Sequence, residues 1–142
     1  MTGAAASRPG PALFYLDTSA LVKLAVRESE TGALRRFLRS RPGRVTSALA
    51  TVEVLRTVRR YTTQARAIRA AERVLAGTTR LALDEDMLKS AALMEPAPLQ
   101  SLDAIHLAAA LSLGRDLAGL ITYDDRLAEA ARRAGVTVHA PR

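Results

Sequence analysis

The chain has 142 residues, 49% of them hydrophobic and 25% charged, a size and balance that build one globular domain with a proper core. It contains no cysteine, which excludes disulfides and Cys-ligated zinc or iron–sulfur sites and accords with a reducing compartment. It also lacks tryptophan and is only 4% aromatic, which argues against a platform for stacking bases.

Twenty-one basic side chains against 14 acidic give a net charge of +7, and all the basic residues except Lys23 and Lys89 are arginine, whose planar fork matches phosphate. An Arg- and Ala-rich genome composition would explain the number of arginines but not their distribution. Residues 1–80 carry 15 basic and 5 acidic groups, net +10, whereas residues 81–142 carry 6 and 9, net −3. That polarity points to a basic surface facing a polyanion, with an acidic partner protein as the other candidate. No apolar run approaches the ~18 residues needed to span a bilayer. The start lacks the apolar segment of a secretory signal, so residues 1–11 read as a loose arm before a domain at 12–142, with the cytoplasm as the expected location.

The run 12–16 is continuously apolar and stops at Asp17, which predicts a strand buried on both faces, as in a parallel sheet covered by helices. Thr18 or Ser19 is placed to cap a helix to about residue 27. A second helix is expected over 31–39, where Leu34, Phe37 and Leu38 recur at helical spacing before Pro42-Gly43 breaks the chain. After a very short strand at 45–46, a helix starting near Ser47 is predicted to bury Leu49, Val52, Leu55 and Val58. That places Glu53 beside the buried stripe and Arg56, Arg59 and Arg60 on a basic flank. Further along, the pattern predicts a helix over 63–75 ended by Gly77, a strand over 81–83, and an Asp84-capped helix to about 94. Pro96 and Pro98 then force a loop. The last part predicts a Ser101-capped helix to 113 ended by Gly114, a strand over 119–122, a helix capped by Asp124 or Asp125 to 134, and a strand over 136–139. Strands and helices alternating in this way fit an α/β layer fold with a mainly parallel sheet.

Four acidic residues occupy unusual positions. Asp17 and Asp124 follow predicted strands at their carboxyl ends, where open α/β sheets bind ligands. Asp103 lies in the first turn of a helix, and Glu53 sits among apolar neighbours. Taken singly, Asp103 and Asp124 read as helix-end carboxylates favoured by the dipole, Asp17 as a turn residue and Glu53 as a side chain snorkelling to solvent. Taken together, converging carboxylates repel one another unless a cation joins them. An all-oxygen set without cysteine suits Mg²⁺ or Mn²⁺ rather than zinc. Beside a basic surface, such an ion is the machinery of phosphodiester hydrolysis.

Four segments carry a resemblance: Tyr15-Leu16-Asp17-Thr18-Ser19-Ala20-Leu21-Val22-Lys23, Glu53 within 47–55, Leu102-Asp103-Ala104-Ile105-His106-Leu107-Ala108, and Thr122-Tyr123-Asp124 followed by Arg126-Leu127. In this order and at these separations they resemble the PIN domain, in its VapC-type bacterial toxin branch, over about residues 13–138. The resemblance implies a three-layer α/β/α sandwich with a mainly parallel central sheet, usually a homodimer. It implies an endoribonuclease toxin that leaves 5′-phosphate and 3′-hydroxyl ends on RNA. A cognate VapB-like antitoxin would neutralise it by inserting a basic side chain among the carboxylates. The family's acids map to Asp17, Glu53, Asp103 and Asp124. Asp17, Asp103 and Asp124 would hold one or two Mg²⁺ or Mn²⁺ ions, and Glu53 would bind a second ion, orient the attacking water or help deprotonate it. Thr18 and Ser19 match the hydroxyl positions after the first aspartate, and Ser19 and Thr122 are expected to orient ligands or water. Asp125, beside the fourth acid, is a departure from the pattern; the Thr-x-Asp match favours Asp124.

Arg56, Arg59 and Arg60 are the candidate RNA contacts, the alternative being a solvated face. His106 reads as a structural helix histidine that could approach the site, His139 as an exposed tail residue, and Gly77, Gly114 and Gly119 as terminators or turns. A DNA or flap nuclease and a non-catalytic nucleic-acid or partner-binding module are the competing functions. A receiver-like phosphoacceptor would need paired acids near the first strand and a late lysine, and a dehalogenase-type phosphatase would need Asp-x-Asp where Asp17-Thr18-Ser19 stands.

Overall fold

The computed structural model describes residues 10–142. Most of the expected N-terminal arm, residues 1–9, lies outside the described residues, while Gly10 and Pro11 are exposed and belong to no regular element. Among the described residues, five strands form one sheet: β1 (Leu13–Leu16), β2 (Arg44–Ser47), β3 (Thr79–Leu81), β4 (Leu117–Ile121) and β5 (Val138–His139). Their order is β3-β2-β1-β4-β5, and every pairing is parallel. Seven helices connect them: α1 (Thr18–Ala25), α2 (Thr31–Arg39), α3 (Leu49–Tyr61), α4 (Ala65–Ala76), α5 (Glu85–Ala92), α6 (Ser101–Leu111) and α7 (Asp125–Arg133).

The order of strands dictates the layers. From β1 the chain moves outward through β2 to β3, then returns past β1 to β4 and β5. Right-handed crossovers running in opposite directions put their helices on opposite faces. On one face, Phe14, Leu16 and Ile121 pack with Leu21 of α1, Leu34 and Leu38 of α2, Val54 and Val58 of α3 and Leu75 of α4. On the other, Tyr15, Val45 and Leu120 pack against Leu107 of α6 and Leu127 of α7, and α5 joins α6 through Ala91, Ala104 and Ala108. The alternation Phe14, Tyr15, Leu16 is the two-residue period of a strand covered on both sides. The result is an α/β/α sandwich whose switch in strand order lies between β1 and β4, so that Asp17 and Asp124 leave the sheet side by side at its carboxyl edge.

Several local expectations are corrected. Asp17, rather than Thr18 or Ser19, caps α1: its Oδ1 accepts the Ala20 N–H at 3.0 Å. In α3 the buried stripe is Ala50, Val54 and Val58, whereas Val52 is 57% exposed. An offset of four tracks the helical repeat more closely here than repeated offsets of three. The N-cap position of α6 is Gln100, and Ser101 already belongs to the helix. β3 lies two residues earlier than expected because β2 sets its register, with Val45 opposite Thr79 and Ser47 opposite Leu81.

Gly119 lies inside β4 rather than at a turn. A Cβ there would come within 2.8 Å of the His139 ring. That ring is half-buried between Phe14 and Phe37, with centroids 5.9 and 4.9 Å away, so His139 is a packed residue and not an exposed tail. Gly114 does not end α6, which stops at Leu111; it opens a short 3-10 turn over Gly114–Asp116 with φ +56°, where a Cβ would be strained.

Candidate active site

The carboxyl edge of β1 builds the centre of the site. Asp17 is buried because β1 is the middle strand, and its charge is met by local donors. Besides the Ala20 N–H, Oδ1 accepts the Ser19 hydroxyl at 2.6 Å, and Oδ2 accepts the Thr122 hydroxyl at 2.5 Å. Burial pushes the Asp17 carboxyl above the ordinary carboxylate range, and the bonds from Ser19 and Thr122, the nearby His106 and the Ala20 N–H only partly offset that. Thr122, at the end of β4, ties two acids together: its oxygen also accepts the Asp124 N–H at 3.0 Å. Ser19 accepts the Tyr123 N–H at 2.9 Å and lies 3.5 Å from the Thr122 hydroxyl. Both hydroxyls therefore brace the loop between β4 and α7 against α1.

Asp124 caps α7. Its Oδ1 accepts the N–H groups of Arg126 at 2.9 Å and Leu127 at 3.1 Å, which leaves Oδ2 outside these bonds. Asp125 is the exposed first residue of the helix. Asp103 is half-buried in the first turn of α6, and no side chain makes the capping bond at that helix start. Burial raises its carboxyl, the Asp124 charge raises it further, His106 pulls it down, and Asp17 and Glu53 add smaller upward pushes. Asp103 thus senses all three other acids, which stand up to 86 residues from it in sequence (17 to 103).

Glu53 reaches the same edge from α3. Its Oε1 accepts the Thr18 hydroxyl at 2.7 Å and lies 2.7 Å from His106 Nε2. Burial would raise this carboxyl, but the hydrogen bonds from His106 and Thr18 win and hold it below the usual range. His106, buried on α6, also places Nδ1 2.8 Å from the Tyr15 hydroxyl. Sequence reasoning left His106 and Tyr15 out of the site. The available signal was spacing, since His106 follows Asp103 by three residues and so shares its helix face. Arg56, Arg59 and Arg60 are exposed on α3; Arg56 and Arg60 stand three and seven residues after Glu53, on its side of the helix.

The donor set is all oxygen except for one imidazole, which fits a hard divalent cation, and the mutual repulsion felt by Asp103 is what such a charge would relieve. Among the described residues, no three Asp, Glu or His side chains lie close enough together to hold one ion as they stand. Asp17 and Glu53 have turned to their hydroxyl, N–H and imidazole donors, and Asp124 to the start of α7. Asp103, in contrast, has no such donor among the bonds described above. The expected convergence therefore takes the form of four acids at one edge rather than a preformed ligand shell.

The PIN domain family matches residues 14–133. The chain is 51% identical over 130 residues to Ribonuclease VapC46 of Mycobacterium tuberculosis, covering 92% of this chain and 98% of that one. It is 41% identical over 133 residues to Ribonuclease VapC47 of the same species, covering 91% and 97%. The crystal structure of Mycobacterium tuberculosis VapC20, described as a sarcin-ricin loop cleaving toxin, superposes with a TM-score of 0.70 at 19% identity, over 90% of this chain and 99% of that one. PAE2754 from Pyrobaculum aerophilum superposes with a TM-score of 0.61 at 20% identity, over 97% and 92%. These two structures share the fold, and the sequence relatives carry the family: the chain belongs to the PIN domain family, in the branch of the VapC ribonucleases.

Proposed function

We propose that this protein is a metal-dependent endoribonuclease, the toxin of a toxin–antitoxin pair, and that residues 12–142 are its nuclease domain. The observation that carries the reading is the gathering of Asp17, Glu53, Asp103 and Asp124 at the carboxyl edge of β1 and β4, where burial raises Asp103 and the charges of the other three raise it further. The identity to ribonucleases over nine-tenths of the chain supports the same conclusion.

Asp17, Asp103 and Asp124 would hold Mg²⁺ or Mn²⁺, which when bound neutralises phosphate oxygens and lowers the pKa of water. Asp17 is the rigid member, fixed by Ser19, Ala20 and Thr122. Asp103 and the free oxygen of Asp124 are the adjustable ones. Glu53, held ionised by its two donors, accepts a hydrogen bond from the attacking water through Oε2 and so aims the water's lone pair at phosphorus. As the new P–O bond forms, the in-line P–O3′ bond breaks, the water's proton passes to Oε2 and the 3′ oxygen takes a proton from solvent. Arg56, Arg59 and Arg60 hold the RNA backbone beside it. Such contacts supply affinity rather than sequence choice, so target selection follows RNA shape and loop context.

The antitoxin would inactivate the enzyme by placing a basic side chain against these acids. A homodimer is what the family resemblance implies for this chain. Among the described residues no helix is long and apolar enough to cross a membrane.

The test is cleavage of total bacterial RNA by purified, antitoxin-free protein with Mg²⁺ or Mn²⁺. Discrete products that vanish with EDTA and in Asp17→Asn are expected, with 5′-phosphate ends. Fragments that persist equally in the variant would refute the site, and cleavage of DNA or flap substrates alone would move the assignment to the competing nuclease class.

A further inference from the structure

His106 is only 3% exposed, yet both ring nitrogens are engaged, and its partners lie in the central strand and in the opposite helical layer. Glu53 belongs to α3 on one side of the sheet and His106 to α6 on the other, while Tyr15 comes from the central strand between them. Nε2 lies 2.7 Å from Glu53 Oε1 and 3.3 Å from the Thr18 hydroxyl, and Nδ1 lies 2.8 Å from the Tyr15 hydroxyl.

These partners assign the protons. An ionised carboxylate offers only lone pairs, so Nε2 carries the hydrogen and donates it to Glu53. Nδ1 is then free to accept, and the Tyr15 phenol, kept protonated by burial, is the donor. The chain Tyr15 O–H to Nδ1, Nε2–H to Oε1 is satisfied without any change of protonation. Thr18 donates to the same Oε1 at 2.7 Å. Two donors therefore saturate one oxygen and fix the rotation of the carboxylate. Only Oε2 stands outside these bonds.

We propose that His106, set in its tautomer by Tyr15, is a positioning residue that determines what Glu53 does in the reaction. It limits Glu53 to a single presented oxygen and so makes it the orienting group for water rather than a two-oxygen ligand. A chelating Glu53 would have to abandon both His106 and Thr18. The reaction step rests on the ribonuclease reading above; the bond itself does not.

The experiment uses the full chain as wild type, His106→Leu, His106→Gln, Glu53→Ala and the Glu53→Ala/His106→Leu double variant. Measurements are single-turnover RNA cleavage, RNA binding, Mn²⁺ affinity by calorimetry, and denaturant unfolding without metal. His106→Leu is expected to slow cleavage roughly 10–100-fold, as loss of a group that orients a site carboxylate does, with RNA binding unchanged. His106→Gln keeps an N–H donor of similar reach and is expected to recover most of that loss. On Glu53→Ala the leucine substitution is expected to add less than about twofold, because a group that acts only through Glu53 has nothing left to act on. Mn²⁺ affinity is expected to change less than cleavage.

The proposal is overturned if His106→Gln is as slow as His106→Leu, or if the leucine effect multiplies in full onto Glu53→Ala. Should the wild type cleave no RNA with either metal, the ribonuclease reading fails on its own, and metal-free unfolding then decides the pairing. Coupling of at least about tenfold in the unfolding constant between positions 53 and 106 supports the bond to a charged acceptor, and additive losses overturn it.

Discussion

Replacing Thr122 with valine keeps the shape of a buried residue and removes one oxygen. That oxygen donates to Asp17 Oδ2 at 2.5 Å and accepts the Asp124 N–H at 3.0 Å, in a side chain only 1% exposed. A hydrogen bond to a charged acceptor contributes about 1.5–3 kcal/mol and a neutral one about 0.5–1.5 kcal/mol, so Thr122→Val is expected to cost about 2–4 kcal/mol. At roughly 4 °C per kcal/mol for a chain of this size, the melting temperature falls by about 8–16 °C. The sign with pH follows from Asp17, whose carboxyl burial already raises. Losing the Thr122 donor raises it further, so the deficit is full at alkaline pH and shrinks as pH falls and Asp17 takes up a proton. Denaturant unfolding of wild type, Thr122→Val, Asp17→Asn and the double variant measures it. In the Asp17→Asn background the valine is expected to cost less than about 1.5 kcal/mol, since the charged acceptor is gone. A loss below about 0.5 kcal/mol, or an equal loss in both backgrounds, would refute the view that Thr122 supports the buried carboxylate.

Asp103 provides a second pH test. Its folded carboxyl is raised by burial and by Asp124, Asp17 and Glu53, so the stability it contributes is present below its unfolded value of about 3.9 and is lost as pH rises through the folded value. Asp103→Asn is therefore expected to raise the melting temperature of the metal-free protein near pH 7 and to leave it unchanged near pH 3, while abolishing cleavage; equal effects at both values would contradict the repulsion. Gly119→Ala puts a methyl 2.8 Å from the His139 ring wedged against Phe14 and Phe37, and is expected to cost about 1–3 kcal/mol by overpacking. Substituting His139→Ala in the same chain should recover part of that loss, and denaturant unfolding of the pair checks it. Arg56→Ala and Arg60→Ala are each expected to lower the slope of log affinity for RNA against log salt by about 0.7, the value for one single-strand phosphate contact, without changing sequence preference. Unchanged slopes in binding titrations would leave these arginines as a solvated face.

The sequence by itself determined the elements and the chemistry available to them. The apolar run ending at Asp17 required a doubly covered strand, the alternation of strands and helices required a parallel sheet, and an all-oxygen set of acids excluded soft metals. Nearest-neighbour terms settle such features: apolar periodicity, the proline breaks and the capping aspartate Asp84, though not the choice between Asp124 and Asp125. They do not settle which residue of a local group wins. Asp17 took the cap that Thr18 and Ser19 could also have made, because its carboxylate, buried at the end of the central strand, needed the Ala20 N–H. Val52 faces outward while Val54 faces inward, and both are apolar, so the choice belongs to the helix phase imposed by packing on the sheet. Gly119 reads as a turn until His139, twenty residues later, is laid across it.

The site shows the same division. Four acids could be named from their positions along the chain, but their meeting depends on a strand order that places β4 beside β1 and α3 within reach of α6, and those are long-range pairings. Tyr15 carries no distinguishing local signal, Thr18 has only its place after Asp17, and His106 has only its three-residue spacing from Asp103. A tyrosine in a strand, a threonine in a first turn and a histidine on an apolar helix face are ordinary residues. Only when the two helical layers close on the sheet does burial strip water from them, and each buried polar group must then find its partner in another element. Tertiary structure decided that His106 meets Glu53 because hydrogen bonds of buried groups are settled by what lies within 3 Å in space, which the order of residues does not specify.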